Sequence, residues 1–119
     1  DGKELGVLHG ATSPGIVAWR ESFAEKSAEV GAWLQWVHVT GASKVTGDCR
    51  NTIYTDSSGT EGYEQFSEHK VVLTKCWNLM RNNILEVHTD STGKRHAARI
   101  VTDVVQQMPD GASWYFVKF

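Results

Sequence analysis

Apolar residues along this chain follow more than one rhythm. In KELGVLH, residues 3 to 9, Leu5, Val7 and His9 fall on one side of an alternating pattern that Leu8 interrupts, which predicts a first strand. In SPGIVAWRESFAEKSAEV, Ser13 is a good N-cap and Pro14 takes the first helical position, where a missing N–H costs nothing. Ile16, Trp19, Phe23 and Val30 then recur at helical spacing, so a helix is expected to end near Gly31. WLQWVHVT, residues 33 to 40, carries apolar bulk on both sides, with Trp33, Val37 and Val39 against Leu34 and Trp36. A strand of that kind belongs inside a sheet.

GASKVTGD reads as a turn-rich connection. CRNTIYT then alternates Cys49, Asn51, Ile53 and Thr55 with Arg50, Thr52 and Tyr54, as expected of a hairpin partner for the tryptophan strand. In DSSGTEG, Ser58 and Glu61 have capping-box spacing, and Tyr63, Phe66, Leu73, Cys76, Trp77 and Met80 fit one face of a second helix. The β-branched pair Val71 and Val72 falls off that face and keeps a strand over 70–77 as the alternative. Asn82 and Asn83 suit a left-handed stop before a strand ILEVHT.

HAARIVTDVVQQM decides the rest of the topology. At about 100° per residue, Ala97, Ala98, Ile100, Val101, Val104, Val105 and Met108 gather on one side, opposite Arg95, Arg99, Thr102, Asp103, Gln106 and Gln107. A strand would mix Arg99 and Asp103 with Val101 and Val105, so a third helix is expected. MPDGAS is a turn, and SWYFVKF a last strand.

The predicted order β, α, β, β, α, β, α, β describes a single α+β domain over residues 1–119. Its fold class is a ferredoxin-like two-layer sandwich, an antiparallel sheet with helices packed on one face, extended by one αβ unit. On such a frame one of Trp33 and Trp36 enters the core. The other lies on the open face, beside Tyr54, Trp114 or Tyr115, which makes Trp33, Trp36, Tyr54 and Trp114 the candidate binding residues. Cover of that face by the third helix or a loop is the alternative.

Composition narrows the function classes. Hydrophobic residues at 40% and charged residues at 22% are ordinary for a globular domain. A net charge of -2 without a basic stripe argues against a nucleic-acid partner. The longest uncharged stretch, Val30 to Ala42, is interrupted by Gln35 and His38 and is too short for a transmembrane segment. The chain opens on Asp1 rather than Met, which fits a leader or pro-segment already removed. Two cysteines in such a chain point to a Cys49–Cys76 disulfide and an extracellular setting, with two buried thiols as the alternative. The bridge would contribute roughly 3 kcal/mol.

Candidate chemistry is sparse. The five histidines, His9, His38, His69, His88 and His96, show no zinc spacing. His38, His88 and Glu86 would form a general acid–base pocket if their strands were neighbours. No serine has nucleophile-elbow context, and the glycine-bearing loops lack phosphate-binding spacing. GKRHAAR, residues 93 to 99, is the one basic cluster and reads as a solvated helix start. No catalytic residue, metal or cofactor is therefore assigned.

In layout, a small, processed α/β plait with few cysteines and no catalytic motif resembles small secreted proteins of fungi, including yeast killer toxins and plant-directed effectors. The resemblance transfers no functional residue. It implies a secreted, non-enzymatic, toxin- or effector-like protein. Such a protein would bind a protein or cell-surface partner through the aromatic sheet surface or the loop from Gly41 to Asp48. Self-association into a homodimer, through the open face or an edge strand, is the close relative of this expectation. A small hydrolase or isomerase using His38, His88 and Glu86 is the rival.

Overall fold

Ser13 and Pro14 begin a helix as the sequence predicts. The Ile16 N–H donates to the Ser13 hydroxyl at 3.3 Å, and Pro14 is the first helical residue. This helix, α1 (Pro14–Glu21), spans eight residues and stops at Ser22, well short of Gly31. Residues 25–30 run without regular structure, and their Ala28 is fully buried. The computed structural model describes residues 5–22 and 25–118. Phe23, Phe119 and the start of the expected first strand, through Glu4, lie outside them.

The other regular elements among the described residues are strands: β1 (Gly6–Ala11), β2 (Gly31–Val39), β3 (Ser43–Tyr54), β4 (Gly62–Leu73), β5 (Cys76–Thr89), β6 (Arg95–Val105) and β7 (Ser113–Lys118). They make one sheet in the order β3-β4-β6-β5-β2-β1-β7. Neighbours are antiparallel except β4 and β6, which run parallel. This overturns the ferredoxin-like sandwich. Both segments read as the second and third helices are strands, and the sheet is mixed.

Local chemistry explains each correction. In β4, Val71 and Leu73 are 2% and 8% exposed while Val72 between them is 58% exposed, a period of two that no helix produces. In β6 the mixture of charged and apolar residues that argued for a helix is real, but the charges are matched across the sheet. Asp103 accepts two hydrogen bonds from the Arg81 guanidinium at 2.9 and 2.6 Å, and Arg99 lies over the Phe66 ring beside Glu86. A strand face can carry ions that are paired this way. The supposed connection GASKVTGD is largely β3, which pairs with β4 along its whole length and not with β2.

β4 and β5 are joined by Thr74 and Lys75 alone, yet β6 lies between them. The link is pinned by Asn78, only 5% exposed. The Thr74 N–H and hydroxyl donate to Asn78 Oδ1 at 3.0 and 3.3 Å, and Asn78 Nδ2 donates to the Thr74 and Cys76 carbonyls at 2.8 and 3.3 Å. Cys76, with φ of +86°, is the one described non-glycine residue in the left-handed region. That conformation is uncommon for a side chain with a Cβ and needs outside support, which these bonds supply.

Cross-strand partners share a face and successive residues alternate, so the register sorts the side chains. On one face α1 packs Ile16 and Val17 over Ala11, with Trp33, Tyr115 and Val117 around them. Beside this cluster, Ala28 closes over Ile84 and Ala97. The segment carrying Ala28 is held by a backbone bond from its N–H to the Arg95 carbonyl and by Arg95 Nε donating to the Ala28 carbonyl. Ile16 and Ile84 are fully buried, and each such side chain contributes roughly 1.5–3 kcal/mol. Gly31 admits this packing, since a Cβ there would stand 2.5 Å from Ile16 Cδ1. Among the described residues the opposite face carries no helix; the β6–β7 connection reaches it at Gln106, beside Trp36 and Leu79, and at Pro109 and Asp110, beside Ala32 and Asn83.

Candidate binding face

β2 and β5 set the open face by their register. Leu34 opposes Arg81, Trp36 opposes Leu79 and His38 opposes Trp77. Leu79 is 3% exposed, whereas Trp36 and Trp77 are 54% and 65% exposed. The two indoles line a shallow cavity of about 450 Å³ with no polar lining residue. A smaller recess of about 80 Å³ behind them is bounded by Thr74, Asn78, Leu79, Val105 and Gln106, among others. Trp77 also meets the His38 ring edge-on, with centroids 5.0 Å apart. Trp77 directly follows the strained Cys76, so the Asn78 bonds that fix the link also aim this indole.

The face continues across the sheet. Gly10 pairs with Leu34 on one side and Trp114 on the other. A Cβ at Gly10 would stand 2.9 Å from the Trp114 ring, so glycine lets the indole lie against the backbone beside Leu34. Trp114 is 43% exposed and Phe116 59%. Fully exposed aromatics present about 150–250 Å² each, so these four expose on the order of 500 Å². The largest apolar patch of a monomer is commonly about 300–600 Å² and is often where it binds.

Of the four predicted binding residues, Trp36 and Trp114 lie on this face. Trp33 does not. It points to the covered side, meets Trp19 edge-on at 5.6 Å and carries the Arg20 guanidinium 4.8 Å above its ring. Tyr54 is exposed, but it ends edge strand β3, four strands from β2. Sequence reasoning missed Trp77 as a binding residue because it placed KCWN inside a helix. Two tryptophans in separate alternating segments were the signal available.

The expected disulfide is absent: Cys49 and Cys76 are free and exposed. They belong to β3 and β5, which β4 and β6 separate, and a gap of three strand spacings, about 14 Å, exceeds the reach of a disulfide. The histidine pocket is not assembled either. His38 opposes Trp77, and His88 stands eleven residues further along β5, roughly 36 Å away. Glu86 joins Arg99 at 3.8 Å, and His88 stacks on Tyr63 with centroids 5.0 Å apart. The break in register around Glu86 sends these neighbours to different partners.

Two polar clusters lie away from the paired indoles. Arg50 and Arg99 both lie over Phe66, at 5.2 and 5.4 Å, flanked by Glu64 and Glu86 in a recess of about 290 Å³. The charges balance within the group. At the β5–β6 turn, Asp90 Oδ2 meets His96 Nε2 at 2.8 Å while Oδ1 accepts from the Thr92 and Lys94 N–H groups. His96, then Thr92, hold the Asp90 carboxyl well below its ordinary range. Nearby, Ser91 lowers Glu61 by donating its hydroxyl and N–H, and Thr60 lowers Asp56. These carboxylates fasten turns. The basic cluster expected to start a helix instead opens β6, and Arg95 secures the Ala28 segment.

Among the described residues no three His, Cys, Asp or Glu side chains converge as metal ligands, and no helix is long and apolar enough to cross a membrane. Comparison with protein-family models, with curated proteins and with solved structures finds no match to this chain.

Proposed function

We propose that this protein is a non-catalytic binding module whose working surface is the open sheet face centred on Trp36 and Trp77. The observation that carries the reading is the pairing of two exposed indoles over a buried Leu79 on a face without a helix. Rigid aromatic side chains on a β-scaffold lose little conformational entropy on binding and dominate the energetics of many interfaces. The exposed aromatic area falls short of the roughly 800 Å² that each side of a standard interface buries. It therefore supplies the apolar centre, with His38, Thr40, Gln106 and the Thr40–Ala42 turn as a polar rim. The partner class is a protein or a protein-bearing cell surface. An extracellular, toxin- or effector-like setting belongs to the same proposal, but free Cys49 and Cys76 remove the bridge it leaned on.

The test compares photo-crosslinking captures by the wild type and by Trp36→Ala, Trp77→Ala and Tyr54→Ala variants, each checked for native circular dichroism. A partner lost with either tryptophan and kept with the Tyr54 variant supports the face. Equal loss from all three, or unfolding of both tryptophan variants, defeats it.

A further inference from the structure

β3 ends the sheet. It is twelve residues long, paired with β4 on one side and exposed at every position except the half-buried Ile53. The other edge strand, β7, is half that length. A long edge presents a row of unpaired backbone donors and acceptors, and an extended strand is what satisfies them. The sequence of β3 says which strand. Read outward from Cys49, Asp48 and Arg50 are opposite in charge, Thr46 and Thr52 are both hydroxyl residues, and Val45 and Ile53 are both β-branched and apolar, while Gly47 with Asn51 and Lys44 with Tyr54 are unlike but not repulsive.

We infer that β3 is a self-complementary edge through which two copies of this chain pair antiparallel about a two-fold axis at Cys49, making one continuous sheet. A two-fold axis perpendicular to the sheet keeps each face on its own side, as an isologous interface requires. In this register Asp48 of each copy opposes Arg50 of the other on one face, and Val45 opposes Ile53 on the other. Charge selects the register. A shift of two residues sets Asp48 against its own copy in one direction and Arg50 against its own copy in the other, and like charges directly opposed destabilise a strand pair. A shift of one residue would bring opposite faces together. Among the described residues Asp48 has no ion-pair partner, and Arg50 is held only by a long, exposed ion pair with Glu64 at 3.8 Å and by the Phe66 ring, so pairing with Asp48 of the other copy exchanges one exposed contact for another.

The Cys49 thiols then become direct cross-strand neighbours. Opposed residues of an antiparallel pair have Cα atoms about 4.5 or 5.5 Å apart, inside the disulfide range. The diazene oxidant diamide supplies the balance: two thiols give up two protons and two electrons, an S–S bond forms, and the N=N bond is reduced to a hydrazine.

Sedimentation velocity across a dilution series should show the mass rising toward twice 13.2 kDa. Asp48→Arg and Arg50→Asp should each weaken association roughly tenfold or more, since each replaces two attractive pairs with two repulsive ones. An equimolar mixture of the two variants should recover a dimer, because acidic positions in one copy then face basic positions in the other. Diamide should link Cys76→Ser protein into a covalent dimer and leave Cys49→Ser protein uncrosslinked. A wild type that stays monomeric, charge variants that dimerise normally alone, or a crosslink through Cys76 would each overturn the inference. Trp36→Ala and Trp77→Ala should leave this dimer intact, so its outcome is separable from that of the binding face.

Discussion

Trp36 and Leu79 oppose one another across β2 and β5, yet the indole is 54% exposed and the leucine 3%. The leucine lies in a recess that Trp36 and Trp77 share with Val105 and Gln106, so the same cross-strand pair combines a surface role with a core role.

That division predicts unequal costs. Leu79→Ala should destabilise the fold by about 2–4 kcal/mol through lost burial and the void left behind. Trp36→Ala should cost about 1 kcal/mol or less in urea unfolding, because its indole is already largely in water. Equal costs would show that the two indoles are part of the core.

Trp33 belongs to the other class. It bridges the Ala11 and Ile84 clusters and packs against Trp19. Trp33→Ala should cost about 3 kcal/mol in the same measurement, several times the Trp36 effect.

Asn78 makes four hydrogen bonds to the β4–β5 link from a position 5% exposed. Asn78→Ala leaves those groups without partners and should cost about 2–3 kcal/mol. It should also release Trp77, read as a red shift and faster acrylamide quenching of its fluorescence in a variant whose other tryptophans are phenylalanine.

Acid sensitivity should concentrate at one end of the sheet. Asp56, Glu61 and Asp90 are all held below their ordinary values of 3.8 for Asp and 4.5 for Glu. Folding is therefore favoured by their ionised forms above those values, and that contribution is lost as the pH falls through the lower folded-state values. Amide resonances of Thr60, Ser91 and Thr92 should shift below about pH 4 before the β2–β5 core responds. A uniform response would contradict the local origin of the effect.

Both thiols should react with iodoacetamide without prior reduction, adding two carbamidomethyl groups to the intact mass. No alkylation of the unreduced protein would mean a bridge that the strand order forbids.

How far the sequence could be read depends on what made each pattern. The helix start at Ser13 and Pro14, the β2 strand and the β7 strand were legible because caps and alternation are local. The helix in 95–108 was not. Its apolar arc at 100° per residue coexists with alternation once Arg99 and Asp103 are paired on the open face, and pairing across strands is invisible in a single segment. Leu73, Cys76, Trp77 and Met80 likewise fitted a helix because a two-residue link separates two strands there, and its lock, Asn78, is a side chain that reads as neutral in either state. Alternation put Trp33 and Trp36 on opposite faces but left open which of them is exposed; that choice, and the companion Trp77, required the β2–β5 register.

The placement of β6 between strands joined by only Thr74 and Lys75 has a kinetic consequence. Chains tend to close their nearest contacts first, and the nearest antiparallel partners here, β4 and β5, must remain apart in the native sheet. Productive assembly then requires β5 to zip with β6 through the Asp90 turn, after which β6 enters beside β4. A premature β4–β5 hairpin would have to reopen before β6 could enter.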